Sequence, residues 1–285
     1  MNFFGEIALP IVLFIIMVGI GLSTRISDFK ALIKYPKATI VGVISQIILL
    51  PIIALSLAWI FNFDEAVTLG LLLLSLCPSG TGSNIITKMV GGNLALSVSL
   101  TTVSNFKSLV TIPIILNWFI ANADGLAGDV QLDYIDMTIR VFALTIIPTA
   151  LGVFIGEKWS FIVESTKKTL KWLLPGLLFG VFTAIMFFDE PKSQGVDITE
   201  MIIPAIIINL ASMFGSLIFA KLFKVENKQA IAIGIEGGLK NSAIGLMIAT
   251  TFLHVGAVEL LILAYSFISF YLTFVMSFLI RKVLV

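Results

Sequence analysis

Glu236 and Lys240 lie four residues apart inside a stretch, 227–251, that is otherwise apolar enough to cross a membrane. Ionisable side chains at such a depth are costly and are functional by default. Between them stand Gly237 and Gly238, poor helix formers that let the backbone open and present free carbonyls. A second stretch, 66–90, is broken by Pro78-Ser79-Gly80-Thr81-Gly82-Ser83-Asn84. Lipid satisfies no backbone N–H or C=O, so a broken helix at membrane depth needs protein or a water-filled cavity around it. Two breaks at corresponding places in the halves of a chain point to the ion and substrate site of a carrier.

The chemistry these residues offer is cation ligation by oxygen. Hard cations such as sodium take oxygen ligands, by the logic that governs calcium and magnesium. Glu236, the freed carbonyls and the side-chain oxygens of Ser83, Asn84, Ser97 and Thr101 supply them. Ser97 and Thr101 are four apart and share one helix face. The competing reading makes Glu236 a structural carboxylate paired with a cation. On that reading Ser and Thr hydroxyls bond back to the preceding turn or join helices. Lys107 is a further buried-span cation, three residues after Ser104. It meets an anionic substrate, or its stem snorkels along the helix. Arg140, near the outer end of its span, reads as a snorkelling anchor. Phe267, Phe270 and Tyr271 read as packing, and His254 with Cys77 makes no metal-ligand cluster.

The elements that position these groups follow from composition. Of 285 residues, 58% are hydrophobic and only 12% charged, with a mean hydropathy of +1.08. Soluble domains carry about 25% charged residues, so the chain is an integral membrane protein. Nine apolar stretches are long enough to span a bilayer: 7–23, 38–61, 66–90, 93–120, 134–156, 172–188, 198–223, 227–251 and 256–280. Segments 24–37 and 157–171 mix basic and apolar residues and read as interfacial connectors. The N-terminal run lacks a basic n-region and a cleavage site, so it reads as a retained helix. The single cysteine excludes an intrachain disulfide.

Charge placement tests the span count, since cytoplasmic loops are rich in Lys and Arg. With the N-terminus outside and the C-terminus inside, only Lys192 of the 18 basic residues falls outside, and Lys107, Arg140 and Lys240 lie within spans. Acids collect on the other side, among them Asp64, Glu65, Asp124, Asp129, Asp133, Asp189, Glu190, Asp197, Glu200 and Glu259. The cell (inner) membrane is the expected location. Spans 1–4 match spans 6–9, an offset of five that inverts orientation, and the fifth has no partner.

Segment 76–104, LCPSGTGSNIITKMVGGNLALSVSLTTVS, closely resembles the bile acid:sodium symporter family, whose members read similarly to CPGGT-x-SN followed by GN-x-ALS-x-x-x-TT-x-S. Segment 236–242, EGGLKNS, is similar to that family's E-x-G-x-Q-N-S. Gly19–Gly21, the connector at 27–29 and Gln46 before a Pro-containing run fit as well. The resemblance implies an all-α inverted-repeat transporter with a panel and a core domain and two crossed discontinuous helices, here in a nine-helix form lacking the first helix of ten-helix members. The whole chain, 1–285, is then a single transporter domain. Its core covers approximately 66–120 and 198–251 with 38–61, and its panel 7–23, 134–188 and 256–280. The resemblance assigns a first sodium site to Ser83, Asn84, Ser97, Thr101 and Glu236. It assigns a second to Gln46, Glu236, the Gly237 and Leu239 carbonyls and position 240. Substrate is expected beside the crossing, at Thr81, Ser104, Asn105, Asn209 and Asn241, with Lys107 added from its charge.

Position 240 departs from the family, which usually carries Gln there. Lysine has three donors and no acceptor, so it ligates no cation. Its ammonium either occupies the second sodium site electrostatically, exchanges protons as a buried lysine, or snorkels to the cytoplasmic face. The expectation is an alternating-access carrier of an organic anion, of the bile-acid, steroid-conjugate or small-carboxylate kind. It is sodium-coupled, with Lys240 replacing the second sodium. The alternative is a proton-coupled or sodium-independent carrier using Lys240 and Glu236. A channel would need a selectivity ring, and an enzyme a nucleophile–base pair or metal motif. Neither is visible in the sequence. Sodium, the anion and the bilayer are the expected partners. There is no cofactor, and no basic patch for nucleic acid.

Overall fold

The computed structural model describes residues 3–24, 30–80, 82–123, 134–188 and 197–284. Thr81, the acidic positions Asp124, Asp129, Asp133, Asp189 and Glu190, and the basic positions Arg25 and Lys192 lie outside them. The elements are helices throughout: α1 (Leu9–Ser23), α2 (Lys30–Lys34), α3 (Pro36–Ile44), α4 (Leu50–Phe61), α5 (Glu65–Leu76), α6 (Gly82–Met89), α7 (Leu94–Ala121), α8 (Tyr134–Lys158), α9 (Ser160–Phe188), α10 (Ile202–Leu222), α11 (Asn227–Gly238), α12 (Ser242–Ile248) and α13 (Gly256–Leu284). Among the described residues six helical runs are long and apolar enough to cross a membrane, and Glu65–Leu76, Gly176–Phe188 and Ser242–Leu253 are shorter apolar helices. The short ones belong to the two broken stretches and to the sixth expected span.

Local sequence explains where these helices start and stop. Asp64 caps α5, its carboxylate accepting from the Val67 N–H at 2.7 Å, and Asn93 caps α7 in the same way through Leu96. The α5 helix ends because Cys77 precedes Pro78, which drives the preceding residue out of the helical region. Cys77 accordingly sits at φ −52°, ψ 144°. In the second stretch α11 runs through Gly237 and Gly238 and opens at Leu239, and Asn241 caps α12 through Ile244. Gln46 lies in a π-helical turn, Ser45–Leu49, between α3 and α4. Such turns recur at functional sites, and nothing in the sequence marks this one.

One difference concerns 157–171. The α8 helix ends at Lys158, and after Trp159 the chain is helical from Ser160 to Phe188 without interruption. The expected connector is therefore the first part of the helix that becomes the sixth span. Hydropathy locates where a helix enters apolar surroundings, not where its hydrogen bonding begins.

The helices pack in two groups. The α1 and α8 helices lie closely along each other and both touch α9. Their approach depends on glycine: a Cβ at Gly21 would stand 2.2 Å from the Thr149 carbonyl oxygen, and one at Gly152 the same distance from that of Val18. Small residues of this kind let membrane helices meet backbone to backbone. The other group is built around α10, α11, α5 and α7. The α13 helix, assigned to the panel from sequence, packs chiefly on α10 and α5, and Phe267 also meets Phe179 of α9 edge-on. The reason is visible in the polar side chains of α13: Tyr265 and Thr273 have hydrogen-bond partners in α10 and α11.

Candidate functional site

The two breaks meet and satisfy each other's backbone. Ser79 and Lys240 form an antiparallel bridge. The Gly80 N–H donates to the Leu239 carbonyl at 2.9 Å, and the Asn241 N–H to the Pro78 carbonyl at 2.8 Å. Side chains take the groups that remain. The Ser104 hydroxyl accepts from the Ser79 N–H at 3.0 Å, and Ser79 Oγ donates to the Glu236 carbonyl at 2.9 Å. Tyr265 accepts from the Lys240 N–H at 2.9 Å and its hydroxyl donates to the Gly238 carbonyl. Asn209 Nδ2 donates to that same carbonyl at 2.8 Å and to Thr273 at 3.1 Å. These freed groups thus have protein partners, as broken helices inside a bilayer require.

Glu236 is fully buried beside this crossing. Its Oε1 accepts from Ser83 at 2.5 Å and Ser97 at 2.6 Å. Thr101 reaches both oxygens, Oε1 at 3.1 Å and Oε2 at 2.9 Å. Ser97 also approaches Asn84 Oδ1 at 2.8 Å. Ser83, Asn84, Ser97, Thr101 and Glu236, separate in sequence, therefore form one cluster drawn from α6, α7 and α11. Gly237 lets α11 lie close against α10, since a Cβ there would come within 2.2 Å of Ser216 Oγ.

The remaining predicted residues divide. Gln46 Nε2 donates to Ser79 Oγ at 3.3 Å, which brings the π-turn to the crossing. The Leu239 carbonyl is engaged by Gly80 and the Asn241 side chain caps α12. Ser104 and Asn209 hold the crossing, as above. Asn105 is buried, and its Oδ1 finds no hydrogen-bond partner among the described residues. The Lys107 ammonium donates to the carbonyls of Gln46 at 3.0 Å and Leu76 at 3.4 Å. It braces the π-turn of the second span against the end of α5. Thr81 lies outside the described residues.

Lys240 is buried, and its Nζ has no hydrogen-bond partner among the described residues. The Lys240 ammonium therefore makes no hydrogen bond to Glu236, four residues before it. Two site residues escape a reading by sequence. Ser79 looks like part of a polar run, and Tyr265 looks like one more aromatic in an apolar helix. The available signal for Tyr265 is chemical: a buried phenol needs a partner for its O–H, and a break nearby offers one.

The fold and site define a class: a helical membrane transporter built on two crossed, interrupted helices. Residues 10–191 match the sodium bile acid symporter family model, and the chain belongs to that family, whose members are transporters and not enzymes. Relatives include an uncharacterized sodium-dependent transporter, YocS, of Bacillus subtilis (strain 168), 28% identical over 85% of this chain and 73% of its own. Human sodium/bile acid cotransporter 4 is 29% identical over 80% of this chain and 52% of its own. A sodium-dependent organic anion transporter of Bos taurus is 28% identical over 80% of this chain and 59% of its own. The chain thus spans only a little over half the length of the two mammalian relatives.

Proposed function

We propose that this protein carries an organic anion across the membrane by alternating access, coupled to sodium bound at Glu236. The observation that supports this most is the convergence of Ser83, Ser97 and Thr101 on one buried carboxylate beside two crossed breaks. Their hydroxyls donate to Glu236 and keep lone pairs for a cation, and Asn84 Oδ1 stands next to them. The names of the relatives, sodium-dependent and organic anion among them, agree with this reading.

Lys240 takes the place of a second sodium in this account. It follows Glu236 by four residues, is buried, and carries only donors. A tethered ammonium and a sodium ion at about 4 Å would repel by roughly 4 kcal/mol at an intermediate dielectric, so one cation, not two, accompanies each cycle. The anion sits beside the crossing, near Asn105, Asn241 and Thr81. Cation binding shapes that site, so each ligand tightens the other by the same factor. The α1, α8 and α9 group is the panel against which the core moves. The N-terminus is outside, the C-terminus is cytoplasmic, and the protein resides in the cell (inner) membrane. A proton-coupled or sodium-independent carrier is the second reading. The absence of a partner for the Lys240 ammonium among the described residues favours it.

Uptake into proteoliposomes separates the two. The organic anions to screen are taurocholate, a steroid sulfate and a small carboxylate. The sodium-coupled account expects accumulation of one of them driven by an inward sodium gradient and abolished in Glu236→Gln. Accumulation driven equally by a proton gradient without sodium favours the second reading.

A further inference from the structure

An apolar groove of about 530 Å³ runs between the C-terminal ends of α10 and α13, lined by Phe214, Leu217, Ile218, Met276, Leu279 and Val283. At Lys221 and Leu284 it meets a polar depression of about 470 Å³, whose wall adds Val225, Glu226, Asn227 and Lys228. The depression is held in shape. Lys221 Nζ donates to Asn227 Oδ1 at 2.5 Å, and Asn227 Nδ2 donates to the Leu284 carbonyl at 2.6 Å. These bonds tie the ends of α10, α11 and α13 together. An ammonium has three donors, so Lys221 keeps donors for a ligand. The same end of the molecule carries Lys224, Lys228, Arg281 and Lys282; among the described residues lining the depression the one carboxylate is that of Glu226, which accepts from Gln229 at 3.2 Å.

We infer that this composite groove binds an anionic phospholipid of the surrounding leaflet, one acyl chain between α10 and α13 and the phosphate on Lys221 and Lys228. The apolar part is exposed, with Ile218 at 55% and Val283 at 83%, as suits contact with lipid chains. The continuity of apolar groove and cationic pocket selects an amphiphile with a negative head. Basic pockets between membrane helices on the cytoplasmic side suit anionic headgroups, each Lys or Arg adding to the attraction. A zwitterionic lipid brings an ammonium of its own against the basic cluster. The site lies away from the crossing and does not depend on which anion is carried.

The test uses the full chain, purified in a nonionic detergent and titrated with phosphatidylglycerol or phosphatidylcholine of the same acyl chains. Native mass spectrometry reads retained lipid. The wild type is expected to retain phosphatidylglycerol in preference to phosphatidylcholine. The double variant Lys221→Gln, Lys228→Gln, in which glutamine still offers a donor to Asn227, is expected to bind it roughly tenfold more weakly. Leu279→Trp fills the groove and is expected to lose retention with both lysines in place; it carries the test alone if the double variant does not fold. Equal retention of the two lipids, or retention unchanged in these variants, overturns the proposal. So does a groove closed by a second copy of the chain, seen as a dimer mass that excludes lipid. Weakened binding of taurocholate in the variants, with lipid retention intact, would make it a site for the carried anion and overturn it as well.

Discussion

Thr101 spans the carboxylate of Glu236, its hydroxyl within 3.1 Å of Oε1 and 2.9 Å of Oε2. Both hydrogen-bond contacts come from one side chain on α7, so the distance between that helix and α11 sets how the carboxylate is presented. The same hydroxyl also reaches the Ser97 carbonyl at 3.0 Å, the back-bond expected of a helical threonine. The hydroxyl has one proton, so the Ser97 carbonyl and the carboxylate oxygens compete for it.

Thr101→Val keeps the shape and removes both contacts. A hydrogen bond to a charged group is worth about 1.5–3 kcal/mol, so sodium affinity should fall by about tenfold or more. The check is the sodium concentration that half-saturates thermal stabilisation of the purified protein, since a ligand bound only to the folded state raises its stability. Wild-type half-saturation in the variant would remove Thr101 from the site.

Tyr265→Phe deletes the hydroxyl shared by the Lys240 N–H and the Gly238 carbonyl. Leaving a buried backbone group unsatisfied costs about 1–3 kcal/mol. The variant should melt at a lower temperature with and without sodium. An unchanged melting curve would mean that the crossing does not depend on this phenol.

Lys107→Met should also lower the melting temperature, because the carbonyls of Gln46 and Leu76 lose their shared donor. A role on the carried anion predicts the reverse pattern, intact stability with lost anion affinity. Calorimetric titration of an anion that the wild type transports, alongside thermal melting, separates the two.

Lys240→Gln replaces an ammonium with a group that has a side-chain oxygen acceptor. Sodium dependence of uptake should become steeper than in the wild type, as a second sodium enters. A wild type already showing two-sodium cooperativity, unaltered in the variant, would remove the ammonium from that role.

Much of this site is legible in the chain because polar residues in lipid are conspicuous. Pro78, Gly237 and Gly238 mark the breaks, and Glu236 and Lys240 stand out as ionisable groups in an apolar stretch. How the breaks join is not legible. The bonds from Gly80 to Leu239 and from Asn241 to Pro78 are tertiary pairings between segments far apart in sequence, with no periodic pattern to announce them. The π-turn around Gln46 leaves no trace in composition, since one extra residue per turn changes no hydropathy. Lys107 stays ambiguous in the sequence for a similar reason: its charge is visible there, but not the two carbonyls that receive it. The position of α13 follows from where Tyr265 and Thr273 find partners, which no count of apolar residues reveals.

Sodium-coupled transport as proposed depends on sodium binding at the Glu236 cluster. The most direct test of that binding is thermal stability of the purified full chain across a sodium titration at constant ionic strength, with potassium and choline as controls. The comparison is between wild type and Glu236→Gln, which keeps the size of the side chain and removes its charge. The account predicts saturable, sodium-specific stabilisation of the wild type with a single-site dependence, absent from the variant. Equal stabilisation by potassium and choline, or an unchanged sodium response in Glu236→Gln, would contradict it.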